Sequence, residues 1–119
     1  MNEAAMKKQD TRELLDIWFE FEEWAEGFNE KDENTDVIFQ LSDGALYCGT
    51  FFTYENLFSQ ARKNRATGEF LFGKYFCVDK PVFIEKIGKQ EIISVINDLI
   101  AKGEIDTAFT RIDGKNSVG

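Results

Sequence analysis

Histidine is absent from this chain of 119 residues, and its absence excludes several kinds of catalytic site. Ser-His-Asp and Cys-His catalysis, histidine-ligated metal sites and the usual general base near neutral pH all need an imidazole. Cysteine is scarce, and Cys48 and Cys77 form neither a disulfide framework nor a CxxC site. Both lie in apolar, alternating segments, so we expect them to be inert thiols of the core.

Long apolar runs are also missing. No stretch approaches the roughly 18 apolar residues of a membrane-spanning helix, and the opening MNEAAMKKQD lacks the apolar stretch of a secretory signal. The formal net charge of −8, from 14 basic and 22 acidic residues, disfavours non-specific binding to nucleic acid or to an anionic membrane. These absences predict a cytoplasmic protein that has neither nucleic acid nor membrane as a direct partner.

Aromatic residues, in contrast, are abundant. The chain contains 12 Phe, and 43% of its residues are hydrophobic, which is enough apolar material for a genuine core. The length is typical of one domain rather than two. We therefore expect a single domain over residues 1–119, with loose tails at 1–9 and 113–119.

The first predicted element is an amphipathic helix. Asp10 is suited to be its N-cap, and Glu13 three residues later completes a capping-box pattern. Apolar residues then recur at intervals of three or four until Gly27, which predicts about four helical turns. The expected buried stripe consists of Leu14, Trp18, Phe21, Ala25 and Phe28.

The rest of the chain alternates between strand and helix patterns. Ser42-Asp43-Gly44 is a hairpin turn signal, and Thr53 is suited to cap a helix that Thr67-Gly68 breaks. Gly103 is suited to end a later helix. The predicted strands are 37–41, 45–52, 69–78 and 82–87, the predicted helices are 54–64 and 89–102, and a short segment follows at 105–112. The expected inward-facing residues are Leu57, Phe58 and Ala61 in the first of these helices and Ile92, Val95, Ile96, Leu99 and Ile100 in the second. The order α-β-β-α-β-β-α predicts an α+β fold, an antiparallel sheet of about four strands packed by about three helices.

Two segments resemble ligand-binding motifs but lack essential residues. Residues 68–75, GEFLFGKY, have the GxxxxGK spacing of a phosphate loop, but Tyr75 replaces the magnesium-binding Ser or Thr and the loop interior is bulky. Residues 32–36 begin like a calcium loop, but Val37 stands where Gly is required and Asp43 where Glu is required. We therefore expect no metal and no cofactor.

Charge is distributed unevenly along the chain. Residues 1–60 carry 14 acidic and 4 basic side chains, a net charge of −10, whereas residues 61–119 carry 8 acidic and 10 basic side chains, a net charge of +2. The excess is sharpest at 10–43, where 12 carboxylates face only Arg12 and Lys31. An asymmetry of this size indicates either an acidic surface that faces a partner or a solvated surface that maintains solubility.

The predicted first helix concentrates this charge on one flank. Carboxylates at spacings of three and four repel one another, and no Lys is interspersed to relieve the repulsion. The flank consists of Glu13, Asp16, Glu20 and Glu23. Beside it, Leu15 and Phe19 point away from the apolar stripe and lie near Glu22 and Glu26, so they are either exposed at a binding surface or part of the core.

Several segments resemble those of the small acidic immunity proteins that bacteria encode beside polymorphic or contact-dependent growth inhibition toxins. The segments are GTFFT at 49–53, TGE at 67–69, GKYF at 73–76 and VINDLI at 95–100, followed by Phe109. Size, acidity, the missing catalytic residues and the predicted α+β order fit the same group. The resemblance implies a cytoplasmic protein, not an enzyme, that binds and neutralises a cognate toxin domain, in many cases a nuclease with a basic cleft. The residues expected to bind this basic partner are Glu13, Asp16, Glu20, Glu23, Glu30, Asp32, Glu33 and Asp36, with Phe19 as the apolar anchor.

Three other functions are consistent with the sequence. An acidic adaptor or regulatory module for another basic protein would use the same surface. A small enzyme based on carboxylates would need a cleft with two inward carboxylates of perturbed pKa. A Phe-rich α+β domain can also build oligomers through an exposed strand edge.

Overall fold

The computed structural model describes residues 10–24 and 26–113 of the chain. Within these two segments it contains five strands, four helices and one 3-10 turn, and this is the α+β class predicted from the sequence. The strands are β1 (Leu14–Phe19), β2 (Asn34–Leu41), β3 (Leu46–Thr53), β4 (Pro81–Ile84) and β5 (Thr110–Arg111). The helices are α1 (Tyr54–Thr67), α2 (Glu69–Gly73), α3 (Lys89–Ala101) and α4 (Ile105–Ala108), and a 3-10 turn lies at Glu20–Glu23.

The predicted tails fall mostly outside the described residues, since only Asp113 of the two is described. Asp113 forms an ion pair of 2.9 Å with Arg111. None of the helices in the described segments is long and apolar enough to cross a bilayer.

The sheet combines an antiparallel meander with one parallel pair. β1, β2 and β3 are antiparallel neighbours, with a bulge in β1 between Leu14 and Asp16. The other edge of β3 is shared by two short strands, because β4 runs parallel to its second half and β5 runs antiparallel at Tyr47 and Cys48. The parallel pair requires a crossover connection, which α1 and α2 provide.

The core lies between one face of this sheet and α3. Strand alternation directs Val37 and Phe39 of β2 and Tyr47 and Phe51 of β3 toward this face, where all four are buried. α3 covers them with the apolar stripe that its spacing predicted. The buried residues of α3 are Ile92, Ile96 and Ile100.

The first predicted helix is wrong, because residues 14–19 form a strand. Ile17, Trp18 and Phe19 are β-branched or aromatic and fit a pleated surface, and their pairing with β2 places alternate residues on opposite faces. Phe19 pairs with Val37 and is buried, whereas Trp18 lies on the other face. The long-range pairing with β2 therefore overrides the local helical spacing.

The residues that extended the helical pattern have a different role. Phe21, Trp24 and Phe28 follow the strand through the 3-10 turn and contact one another, with ring centroids 5.3 Å apart for Phe21 and Phe28. The expected N-cap, Asp10, instead accepts hydrogen bonds from Arg12. Apolar spacing of three and four residues therefore reflected an aromatic cluster rather than a helix.

α1 begins where the sequence predicts and continues past residue 64 to the predicted break at Thr67-Gly68, but the side chains that it buries are polar. The Thr53 hydroxyl caps it by accepting a hydrogen bond of 3.1 Å from the backbone N–H of Asn56. Gly68, with φ +91°, ends it. Asn56 and Asn64 are its buried residues. The expected inward-facing Phe58 is 64% exposed, so the predicted apolar stripe of this helix is wrong at this residue.

The predicted strand at 69–78 is also wrong, because the chain turns back immediately after Gly68. Phe70, Leu71 and Phe72 have left-handed dihedrals, with φ of 54°, 54° and 58°. Each such residue costs an L-amino acid roughly 1–2 kcal/mol. Three in succession form a strained left-handed turn in place of an extended strand.

Packing against α1 and aromatic contacts hold this turn in place. Gly73 allows the close approach, since a Cβ there would lie 2.7 Å from the carbonyl oxygen of Ala61. The ring of Phe70 packs edge-on against Tyr75 and Phe76, with centroids 5.3 and 5.2 Å away. These contacts offset part of the backbone strain.

A hydrogen-bonded network joins the two ends of the described chain to the middle of the sheet. Arg12 forms an ion pair of 2.7 Å with Asp10 and donates a hydrogen bond of 3.2 Å to the Tyr47 hydroxyl. The hydroxyl in turn donates to Asp106 of α4 at 2.8 Å. The hydrogen bond from Arg12 holds the pKa of Asp10 below its usual range, so the pair is charged at neutral pH.

Gly49 of β3 gives a test of the core packing. A Cβ at this position would overlap the ring of Phe109, with Cε1 at 2.7 Å. Overpacking of this kind costs about 1–3 kcal/mol, so Gly49→Ala is expected to lower the free energy of unfolding by that amount in urea denaturation. Gly27→Ala is the matched control, because a Cβ added there would meet no atom within 4 Å. Equal destabilisation by the two variants would contradict this packing.

Candidate functional site

The face of the sheet opposite the core carries both apolar and acidic side chains. The registers Trp18–Ile38 and Ile38–Cys48 place a row of apolar residues across β1, β2 and β3. Asp36, paired with Thr50, lies beside this row. We call this surface the outer face, and it consists of Asp16, Trp18, Asp36, Ile38, Cys48 and Thr50.

The apolar row is open to solvent. Trp18 is 41% exposed and Ile38 is 37% exposed, although both lie in strands. With Cys48 and the exposed Ile112 they line an open cavity of 430 Å³. An exposed indole next to aliphatic side chains is the composition of the centre of a protein interface.

Carboxylates border this row and are tied to it by hydrogen bonds. Glu23 accepts a hydrogen bond of 3.3 Å from the Trp18 indole, which fixes the ring at the surface. Glu20 accepts from the Asp36 backbone amide at 2.9 Å, and Asp36 accepts from the Thr50 hydroxyl at 2.7 Å. The structure thus brings four predicted site residues to one side of the sheet, namely Asp16, Glu20, Glu23 and Asp36.

The other predicted carboxylates lie elsewhere and hold the fold together. Asp32 accepts hydrogen bonds from Asn56 at 3.0 Å and from Ser59 at 2.7 Å, and these bonds lower its pKa. The backbone of Glu33 exchanges two hydrogen bonds with Thr53. Both residues therefore dock a loop onto α1.

Glu30 and Glu13 are also separate from the outer face. Glu30 forms an ion pair of 3.5 Å with Lys86. Glu13 lines a different cavity beside α3, together with Asn97. The eight predicted carboxylates therefore divide into four that border the outer face and four that do not.

Phe19 is not the apolar anchor that the sequence predicted. Its side chain is 3% exposed and belongs to the core, because it faces Val37 across the β1–β2 pair. The aromatic residue at the surface is Trp18, which the helical pattern had placed in the core. A strand pattern over 14–19, with its period of two, would have predicted a buried Phe19 and an exposed Trp18.

Within the described residues, no cluster of three or more Cys, Asp or Glu side chains is arranged to hold a metal ion. The pKa is lowered for Asp10, Asp32 and Asp43, in each case mainly by a hydrogen bond that the carboxylate accepts, from Arg12, Asn56 and the Ala45 backbone respectively. These carboxylates thus serve the structure. The outer face offers an apolar centre and acceptor oxygens, which suit binding.

No protein-family model matches this chain, and no curated protein or solved structure matches it either. Inference about its function therefore depends on the chemistry of its surfaces.

The two kinds of carboxylate can be separated by mutation. Asp32→Ala removes the acceptor of two hydrogen bonds, so we expect the free energy of unfolding at pH 7 to fall by about 1–2 kcal/mol. Asp16→Ala, on the outer face, is expected to change it by less than about 0.5 kcal/mol.

Because the folded-state pKa of Asp32 is lowered, its stabilisation is present above about pH 4 and lost as the pH falls through that lowered pKa. The difference between wild type and Asp32→Ala should therefore shrink below about pH 4 in chemical denaturation, and a difference that grew there would contradict this role.

The cysteines give a second test. Cys77 is exposed, so the prediction of a core thiol is wrong for it, whereas Cys48 is half-buried on the outer face. Burial raises the pKa of the Cys48 thiol, and Asp36 and Asp79 add to the effect. Since the thiolate is the reactive form, Ellman's reagent at pH 8 is expected to modify Cys77 about tenfold faster than Cys48. The variants Cys48→Ser and Cys77→Ser assign the two phases, and equal rates in the folded protein would contradict the placement of Cys48.

Proposed function

We propose that this protein is an immunity protein, which binds a basic toxin domain through the outer face and thereby neutralises it. The observation that carries the proposal is the apolar row of Trp18, Ile38 and Cys48, which lies on the part of the outer face that is open to solvent and is bordered by carboxylates. Interfaces with this arrangement have an aromatic centre and a polar rim.

Trp18 is suited to supply most of the binding energy. Tryptophan is enriched among the residues that dominate interfaces, and the hydrogen bond from its indole to Glu23 holds the ring before a partner arrives. A side chain that is already fixed loses less conformational entropy on binding. The row around it, with Ile38 and Cys48, extends the apolar contact.

The carboxylates are suited to select the partner. Asp16 and Asp36 lie on the outer face and Glu20 and Glu23 border it. Lys80, which lines the same cavity, donates hydrogen bonds of 3.3 Å to the carbonyl oxygens of Asp106 and Phe109. Complementary charge speeds association and disfavours acidic partners. A nuclease toxin must hold phosphates and therefore has a basic surface, to which this face is complementary. Binding of the outer face to that basic surface would keep the nucleic acid out of the toxin's active-site cleft.

Charge neutralisation tests this interface. The triple variant Asp16→Asn, Glu23→Gln and Asp36→Asn keeps side-chain size and removes three negative charges. We expect it to slow association with the toxin about tenfold or more at low salt and to weaken the dependence of that rate on ionic strength. The measurement is stopped-flow or surface-plasmon-resonance kinetics at several salt concentrations.

A matched control removes the same charge elsewhere. Glu55, Glu69 and Glu85 are exposed and lie outside the outer face, so their triple change to Gln should leave the association rate within about twofold. Equal slowing by both triple variants would show that net charge alone matters, and would refute the outer face as the interface.

The partner itself is identified by capture and rescue. The protein is tested in a pull-down with the product of the adjacent upstream gene, and in a growth assay of cells that express that product. Capture with rescue supports the immunity function, whereas capture without rescue assigns an adaptor for another basic protein. Protection of Cys48 from Ellman's reagent in a Cys77→Ser background then reports whether the outer face is covered.

A further inference from the structure

A second surface, on α1 and α2, differs from the outer face in the sign of its charge. Residues 61–74 carry four basic side chains and one acidic side chain in a chain whose net charge is −8. The basic side chains are Arg62, Lys63, Arg65 and Lys74. The surface lies on the strained turn and on the helix against which the turn packs.

Large apolar side chains are exposed among these basic residues. Leu71 is 66% exposed and Phe72 is 64% exposed, and both belong to the left-handed turn. Phe58 and Tyr75 are also exposed, and Phe58 lies one helical turn before Ala61, which contacts Gly73. We call this the turn surface, and it consists of Phe58, Leu71, Phe72 and Tyr75.

The backbone strain indicates that the exposure has a use. The contacts of Phe70 with Tyr75 and Phe76 hold the turn, while the same left-handed geometry projects the next two apolar residues outward. Unfavourable backbone conformations that persist in this way cluster at ligand-binding and switch regions. An exposed apolar patch with a polar border likewise marks an interaction site.

We propose that the turn surface binds the anionic surface of a lipid bilayer, with Leu71 and Phe72 entering the interfacial region and the basic side chains contacting lipid phosphates. Peripheral binding of this kind depends on buried apolar area together with attraction to anionic headgroups. Both requirements are met by the same stretch of chain. The net charge of the whole protein does not prevent this, because charges beyond a Debye length of about 8 Å are largely screened.

Other occupants fit these side chains less well. Leu71 and Phe72 are both more than half exposed, and a fluid interface accepts both side chains, whereas a rigid protein partner would need a shaped pocket for each. A second copy related by two-fold symmetry would bring two basic clusters together. Leu71 has no ring on which a base could stack, which disfavours single-stranded nucleic acid.

The test is cosedimentation of the full chain with vesicles. Vesicles of phosphatidylcholine alone are compared with vesicles in which one lipid in three is phosphatidylglycerol. We expect binding to the anionic vesicles only, and its loss as salt is raised. The absence of any cosedimentation with anionic vesicles at low salt would overturn the proposal.

Two leucines with the same exposure provide a matched pair of variants. Leu71→Asn removes the apolar side chain and keeps a residue that tolerates left-handed dihedrals, whereas Leu15→Asn makes the same change at a leucine that is 64% exposed on β1. We expect at least a fivefold fall in the vesicle partition coefficient for Leu71→Asn, and little change for Leu15→Asn. Equal effects of the two variants would refute the assignment to the turn surface.

A charge variant tests the same site without changing the turn backbone. Replacing Arg62, Arg65 and Lys74 by Gln should reduce binding to anionic vesicles at least fivefold, whereas the same change at Lys86, Lys89 and Lys102 should not. Analytical ultracentrifugation of the protein alone completes the test, because a dimer that Leu71→Asn dissociates would assign the surface to a second copy and overturn lipid binding. None of these residues lies on the outer face, so failure here would leave the proposed function unaffected.

Discussion

The pairing of β1 with β2 is the constraint on which the surface of this protein depends. Once Phe19 is placed opposite Val37, the period of two along a strand requires Trp18 to lie on the other face. A shift of this register by one residue would bury the indole and expose Phe19. The bulge between Leu14 and Asp16 ends the regular pairing at the far end of the strand. The same register therefore determines the core, the apolar row and the side of the sheet on which Asp16 lies.

Local signals in the sequence were sufficient for the parts of the fold that depend on local chemistry. The cap at Thr53, the end of α1 at Gly68, and the stripe of Ile92, Ile96 and Ile100 were all predicted and are present. The hairpin of β2 and β3 was also predicted. Two elements were predicted as the wrong type, because their conformations depend on distant contacts. β1 is a strand through its pairing with β2, and the left-handed turn exists through the packing of Gly73 against α1.

The charge pattern led the sequence analysis to some of the carboxylates of the outer face, but not to Trp18. Uneven charge along the chain pointed to residues 10–43, and four of the predicted carboxylates do border the outer face. A count of charges could not distinguish these from Asp32, whose oxygens accept hydrogen bonds from Asn56 and Ser59. Trp18 was missed because a helical spacing placed it among buried residues. Carboxylates that border the outer face are distinguished from those that hold the fold together by their burial and their hydrogen-bond partners, and both of these depend on tertiary contacts.

The hydroxyl of Tyr47 has a consequence for the order in which the chain is made and folds. This one oxygen accepts a hydrogen bond from Arg12 and donates one to Asp106, so it connects residues synthesised at very different times. α3, which covers the face of the sheet that carries Tyr47, and α4, which supplies Asp106, both follow the meander of β1, β2 and β3 in the chain, so this face is exposed until they have been made. The hydrogen bond from the Tyr47 hydroxyl to Asp106 therefore forms late in synthesis, and a chain that stops before residue 106 lacks the acceptor for this hydroxyl.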